Sequence, residues 1–116
     1  MKRGSGRAQR LGDLIQRELS DLLLRELRDP GVGMITITSV DVSPDVSHAL
    51  VYFTCLDASH AEESAQGLGR AAGFLRSQLA KRVTMYTMPE LRFRYDESIE
   101  RADRLSRLLD SVKPKK

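Results

Sequence analysis

Four basic side chains lie within residues 68–83 of the sequence, and the chemistry open to them is the binding of phosphate groups. No acidic residue occurs between Arg70 and Pro89, so the sequence predicts positive charge that has no local partner. A core helix with a solvated basic outer face is the alternative, because most charge runs are simply solvated. The four basic residues are Arg70, Arg76, Lys81 and Arg82.

The same stretch has the apolar period of a helix. Its apolar residues recur every three or four positions and would form one buried face. Gly73 lies within that face, where glycine costs about 1 kcal/mol relative to alanine. We therefore predict a kinked helix pair whose two helices meet at Ala71-Ala72-Gly73. The apolar residues are Leu68, Ala71, Ala72, Leu75, Leu79 and Val83.

Cysteine and histidine do not form a catalytic or metal-binding pattern in this sequence. Cys55 is the single cysteine, and His48 would point to the opposite face of the same strand. His60 adds no metal-ligand spacing. A buried structural cysteine is therefore the favoured interpretation.

Carboxylates and glycines also have structural explanations. Asp96 is a good helix N-cap, and Glu97 and Glu100 suit the positive end of a helix dipole. The spacing of Gly67, Gly69 and Gly73 matches neither a dinucleotide-binding fingerprint nor a P-loop. The sequence therefore predicts no catalytic residue, no metal, no cofactor and no small-molecule substrate, and hence no enzyme.

Other elements are predicted from their periodicity. A leucine-rich amphipathic helix runs over about residues 7–28, and two strands at 34–42 and 48–56 pair antiparallel. The alternation of the first strand slips near Ser39, which predicts a β-bulge there. A third strand at 91–95 turns Arg92 and Arg94 outward, and a last amphipathic helix follows Asp96. The prediction is an α+β domain with a three-stranded sheet and helices on one face.

Size and composition indicate one domain of 116 residues and 13.0 kDa, 41% hydrophobic and 30% charged. We divide it into a flexible basic arm at 1–6, a globular domain at 7–112 and a short basic tail at 113–116. No apolar run approaches the roughly 20 residues of a membrane span, and no secretory signal is recognisable. The lone cysteine suits a reducing cytoplasm.

Charges are segregated by sign along the chain. Residues 1–12 hold four basic groups and no acid, residues 13–69 hold ten acids and three bases, and residues 70–94 hold six bases and one acid. Three basic blocks beside an acidic half indicate a polyanionic partner that is met by one face.

Four ordered segments make the chain resemble the bacterial ribosome-binding factor A family. The resemblance implies a noncatalytic, type-II KH-like domain that binds the small ribosomal subunit, its 16S rRNA and neighbouring ribosomal proteins. Nothing in the sequence demands more than a monomer. It also implies a role in late subunit maturation, rRNA processing and cold adaptation, and an Ala-x-Gly kink in place of the KH glycine clamp. The segments are IQRELSDLLLRELRDPGVG (15–33), ITITSVDVSPDVSHALVYFTCL (35–56), RAAGFLRSQLAKR (70–82) and PELRFRYDESIERADRL (89–105).

On this hypothesis one cationic surface binds rRNA. Two alternatives remain: a generic KH-type single-stranded RNA-binding module, and a protein–protein adaptor whose acidic half is the working face. The predicted RNA-binding residues are Arg3, Arg7, Arg10, Arg70, Arg76, Lys81, Arg82, Arg92 and Arg94, helped by the terminal lysines.

Overall fold

The computed structural model describes residues 6–25, 34–84 and 86–112. The predicted arm at 1–6, apart from residue 6, and the predicted tail at 113–116 therefore lie outside the described residues. A single 3-10 turn at Ala58–His60 precedes the second helix. The elements, in chain order, are α1 (Gly6–Arg25), β1 (Ile35–Val42), β2 (His48–Cys55), α2 (Ala61–Arg82), β3 (Glu90–Tyr95) and α3 (Ser98–Val112).

The sheet has the order β1-β2-β3, with β1 antiparallel and β3 parallel to the central strand β2. The register of β1 shifts between Ile37, which pairs with Phe53, and Ser39, which pairs with Tyr52. Thr38 is thus the extra residue of a β-bulge, as the slipped alternation predicted. The bulge allows residues on both sides of it to face the same core.

Two helices cover one face of the sheet. α1 packs mainly on β1, α2 packs mainly on β3, and the helices also touch each other. The other face has no helix on it in the described part of the chain, and we call it the open sheet face. It presents exposed Thr36, Arg92 and Arg94, with half-buried Tyr52 on the central strand. The predicted α+β class with a three-stranded sheet is confirmed. The buried core is Ala8, Leu11, Ile15, Leu19, Leu22, Ile37, Val40, Val42, Ala49, Val51, Phe53, Leu68, Ala71, Leu75, Leu79, Val83, Met88 and Leu91.

α1 lies unusually close to β1 at one point. A Cβ atom built on Gly12 would lie 2.9 Å from the backbone carbonyl oxygen of Val40. Real Cβ atoms do not approach a carbonyl so closely, so a side chain at position 12 would push the helix away from the strand. The glycine inside this helix therefore serves close packing.

α2 occupies the place of the predicted kinked helix pair. It is one helix from Ala61 to Arg82 and is not divided at Ala71-Ala72-Gly73. Leu68 and Leu75, on either side of the glycine, are both fully buried. Burial of such side chains contributes more than the ~1 kcal/mol that glycine costs, so one helix persists.

α3 forms where it was predicted but does not join the core. Asp96 precedes it and accepts a hydrogen bond from the backbone N–H of Ser98 at 2.9 Å and from the Thr38 hydroxyl at 2.7 Å. The Thr38 bond is the main cause of a lowered pKa for Asp96.

One further hydrogen bond links β3 to α3. The Tyr95 hydroxyl donates to Glu100 at 2.7 Å, which raises the pKa of Tyr95 to about 12. The apolar stripe of α3 is exposed at Ile99, Leu105, Leu108, Leu109 and Val112.

Replacing Asp96 by alanine should unravel the start of α3. Because α3 is not held by core packing, its helicity depends on its own residues and on this cap, which contributes about 1 kcal/mol. Amide hydrogen exchange across residues 98–103 should accelerate in Asp96→Ala. Asp110→Ala, near the other end of the helix, is the control, and equal protection in the two variants would contradict the capping role.

Candidate nucleic-acid interface

The outward side of α2 carries a stripe of four exposed residues spaced four, three and four apart. They are Arg70, Phe74, Ser77 and Lys81, and we call them the outer stripe. The buried residues Leu68, Ala71, Leu75 and Leu79 lie on the other side of the same helix and face the core. Because positions with this spacing share one face of a helix, the stripe places Arg70 and Lys81 on one solvent-facing line.

Lys81 is the clearest candidate for a phosphate contact. Its side chain is exposed, and none of the described carboxylates forms an ion pair with it. Lys81 also belongs to the last turn of α2. A compact ammonium group on a flexible stem can therefore reach a phosphate oxygen without first breaking an internal bond.

Arg76 has a structural partner as well as a charge. Its guanidinium donates to the backbone carbonyl oxygen of Met88 through Nε at 3.2 Å and Nη2 at 3.1 Å. The bonds attach α2 to the connector that leads into β3. Since a carbonyl is neutral, these bonds do not neutralise the positive charge of Arg76. Replacing Arg76 by an acid would remove the bonds to Met88 and so also disturb the fold.

Arg82 does not have the unpaired charge that the sequence predicted. Its Nη1 lies 3.1 Å from the Glu18 carboxylate and 2.8 Å from the Asp21 carboxylate, both on α1. Hydrogen bonds to Asp21 and then Glu18 raise the pKa of Arg82. The sequence stretch around Arg82 lacks acids, yet folding brings two from α1, so this arginine joins the helices.

Exchanging the two neighbouring cations for methionine should separate binding from stability. Lys81→Met should weaken small-subunit binding about fivefold and lower its salt dependence, with the thermal midpoint unchanged. Arg82→Met should lower the thermal midpoint and leave binding nearly unchanged. If the two variants weakened binding equally, the assignment of Lys81 to binding and Arg82 to stability would be contradicted.

The dependence of stability on pH at acidic values is a further test of the pairing between Arg82 and Asp21. Hydrogen bonds from Arg25 and then Arg82 lower the pKa of Asp21 below its ordinary 3.8. A lowered native pKa gives stability that is present above the unfolded pKa and is lost as pH falls through the native value. Below pH ~4 the stabilities of wild type and Arg82→Met should therefore converge.

The N-terminal turn of α1 brings further cations beside the end of α2. The Arg7 guanidinium lies 5.9 Å from the centre of the Tyr86 ring, in the connector that Arg76 also binds. Arg10, one turn later, is exposed. Arg7 and Arg10 thus belong to the helical face, by which we mean the outward side of α1 and α2. Arg3 and the terminal lysines lie outside the described residues.

Arg92 and Arg94 lie on a different surface. Their strand buries Leu91 toward the helices and turns both arginines to the open sheet face. Arg92 also lies 3.7 Å from Glu90. The nine predicted residues therefore do not form one surface, because the helices and these two arginines are on opposite sides of the sheet.

Phe74 is a surface residue that the sequence reasoning missed. Its neighbour Leu75 is fully buried, while Phe74 is 46% exposed. Hydrophobicity alone does not distinguish the two. The signal was the spacing of Phe74 from Arg70, Ser77 and Lys81, which places it with charged and polar residues rather than with the leucines.

The exposed cations of the helical face suit it to binding anions. Within the described residues, no group of three or more His, Cys, Asp or Glu side chains is placed to hold a metal ion. Nor is any described helix both long and apolar enough to cross a bilayer. Exposed ammonium and guanidinium groups on a helix are suited to phosphate oxygens.

Fold and surface together define a small α+β domain of KH-like type with cations on its helical face. The chain belongs to the ribosome-binding factor A family, whose sequence model matches residues 7–109. It is 50% identical over 111 residues to a ribosome-binding factor A of Dechloromonas aromatica, covering 96% of this chain and 90% of that one.

Solved structures agree with this assignment. The crystal structure of ribosome-binding factor A from Thermus thermophilus matches with a TM-score of 0.68 at 30% identity, covering 76% of this chain and 93% of that one. A Thermus thermophilus ribosome binding factor A homology model, fitted into the cryo-EM map of a 30S–RbfA complex, matches with a TM-score of 0.66 at 29% identity. It covers 78% of this chain and 96% of that chain.

Proposed function

We propose that this protein binds the free small ribosomal subunit in the cytoplasm and assists its late maturation and 16S rRNA processing without catalysing a reaction. The observation that supports this most is the outer stripe of α2, where Arg70 and Lys81 stand exposed on a rigid helix. The fitting of a relative into a 30S complex map supports the same partner. We propose that it acts as a monomer, beside neighbouring ribosomal proteins, and matters most in cold growth.

The helical face is the part that would meet rRNA. Lys81 and Arg10 are exposed there, Arg70 shares the outer stripe, and Arg7 lies beside Tyr86. A surface made of two packed helices can follow the shape and charge of folded RNA but offers no loop to enclose a strand. Since each neutralised phosphate releases counterions, binding should weaken steeply with added salt.

A generic single-stranded RNA module is less well supported. KH domains clamp four nucleotides with a G-x-x-G loop, whereas α2 continues as a helix through Ala71-Ala72-Gly73. Helical backbone N–H groups at these positions are already used within the helix. The position of the clamp therefore lacks the loop that would cradle a single strand.

Sucrose-gradient sedimentation of cell extract tests the function directly. The protein should co-sediment with free small subunits and be depleted from translating ribosomes. Filter binding should then show higher affinity for isolated small subunits than for short unstructured oligonucleotides. Equal distribution over translating ribosomes, or tighter binding to the oligonucleotides, would contradict the proposal. A partner that survives ribonuclease treatment, bound without salt dependence, would favour the adaptor alternative.

A further inference from the structure

Phe74 stands out among the exposed apolar side chains of the described residues. The others of large size are leucine, isoleucine, valine and methionine, and Phe74 is the aromatic one, with 46% of its surface exposed. It does not fill the core, because Leu75 and Leu79 of the same helix do so at 0% exposure. Nearly half of a large aromatic residue is thus left exposed to solvent on an otherwise well-packed helix.

The neighbours of Phe74 indicate what the ring would contact. Arg70 lies one turn before it and Lys81 two turns after it, about 6 Å and 10 Å along the helix axis. Long side chains in a helix lean toward its N-terminus, so the ring lies over the turn that contains Arg70. Ser77 and Gln78, in the following turn, are polar rather than apolar.

We propose that Phe74 stacks on an unpaired base of the small-subunit rRNA while Arg70 and Lys81 hold the flanking phosphates. The inference rests on the proposed function and assigns a base-stacking residue to it. Nucleic-acid surfaces combine cations that follow the backbone with aromatic rings on which bases stack. A ribosomal protein is the less suitable occupant, because a lone ring between two cations lacks the continuous apolar patch of a protein interface.

A tryptophan at position 74 would report the stacking directly, since the sequence contains no tryptophan. In Phe74→Trp, emission should be quenched by at least half when isolated small subunits are added, because a stacked base quenches an indole. A blue shift without quenching would indicate burial against protein and overturn the inference. Unchanged emission from the bound variant would overturn it as well.

Affinity measurements distinguish failure of this inference from failure of the function. Phe74→Ala and Phe74→Leu should each bind small subunits about 10-fold more weakly, with an unchanged salt slope, whereas Phe74→Tyr should bind as wild type. Thermal midpoints should stay the same, because the ring is outside the core. If Phe74→Ala binds normally while Lys81→Glu does not, the stacking is refuted and the proposed function stands. If the ring matters but leucine restores binding, apolar contact replaces stacking and the inference is wrong.

Discussion

Reversing the charge of Arg70 and Lys81 together should lower affinity for the small subunit about 100-fold. Both side chains are exposed on the outer stripe of α2, so the variant replaces attraction to phosphate by repulsion on one line of the surface. The slope of log affinity against log salt should fall by about one unit for each phosphate that the variant no longer neutralises. Filter binding across a salt series measures both quantities.

A matched control has the same change in net charge on another element. Arg101→Glu with Arg104→Glu alters two exposed residues of α3, which packs little against the rest of the domain. This control should bind with nearly wild-type affinity and salt slope. If both double variants lose binding equally, net charge rather than the helical face governs the interaction. Arg76 and Arg82 are left intact because both hold the fold together.

Two glycine-to-alanine changes in the helices should shift stability in opposite directions. Gly12→Ala places a Cβ 2.9 Å from the Val40 carbonyl oxygen, and relief of that clash should cost about 2 kcal/mol of unfolding free energy. At Gly73 an added Cβ meets nothing within 4 Å. Gly73→Ala should therefore raise the unfolding free energy by about 0.5–1 kcal/mol, through lower backbone entropy in the unfolded chain.

Urea unfolding of the two variants, monitored by circular dichroism, measures these differences. Both residues are helical glycines, so intrinsic helix propensity favours alanine equally and the contrast isolates the contact with β1. A stabilised Gly12→Ala protein would mean that α1 stands farther from the sheet than described. A destabilised Gly73→Ala protein would mean that α2 requires a bend at this glycine.

Local patterns predicted the features that depend on neighbouring residues. The slip between Ile37 and Val40 predicted the β-bulge, because side-chain alternation is a property of the strand itself. Asp96 was predicted to stabilise the start of the last helix for the same reason, and it accepts a hydrogen bond from the backbone N–H of Ser98, two residues away. Order and direction of the first two strands followed from their short connection.

Features that depend on distant residues could not be read in this way. Glu18 and Asp21 are 64 and 61 residues from Arg82. A basic stretch of sequence therefore appeared unpaired, although folding brings α1 beside it.

Packing of whole elements was equally hidden from the sequence. The cost of a glycine at position 73 was judged from helix propensity alone, whereas the packing of both halves of α2 keeps the helix continuous. Cys55 was interpreted as a buried structural cysteine, yet it lies half-buried near the strand end and its thiol donates to the Asp57 carbonyl oxygen. One face of α3 is apolar, but no local pattern shows whether that face packs against the rest of the domain.

Tethered hydroxyl-radical probing tests most directly whether the helical face lies against rRNA. Cys55 is the single cysteine, so a Cys55→Ser background accepts one new probe site at a time. Ser77→Cys places an iron chelate within the outer stripe, and Thr36→Cys places it on the open sheet face. We expect strong, localised 16S rRNA cleavage from position 77 and much weaker cleavage from position 36. Strong cleavage from position 36 with none from position 77 would contradict the account.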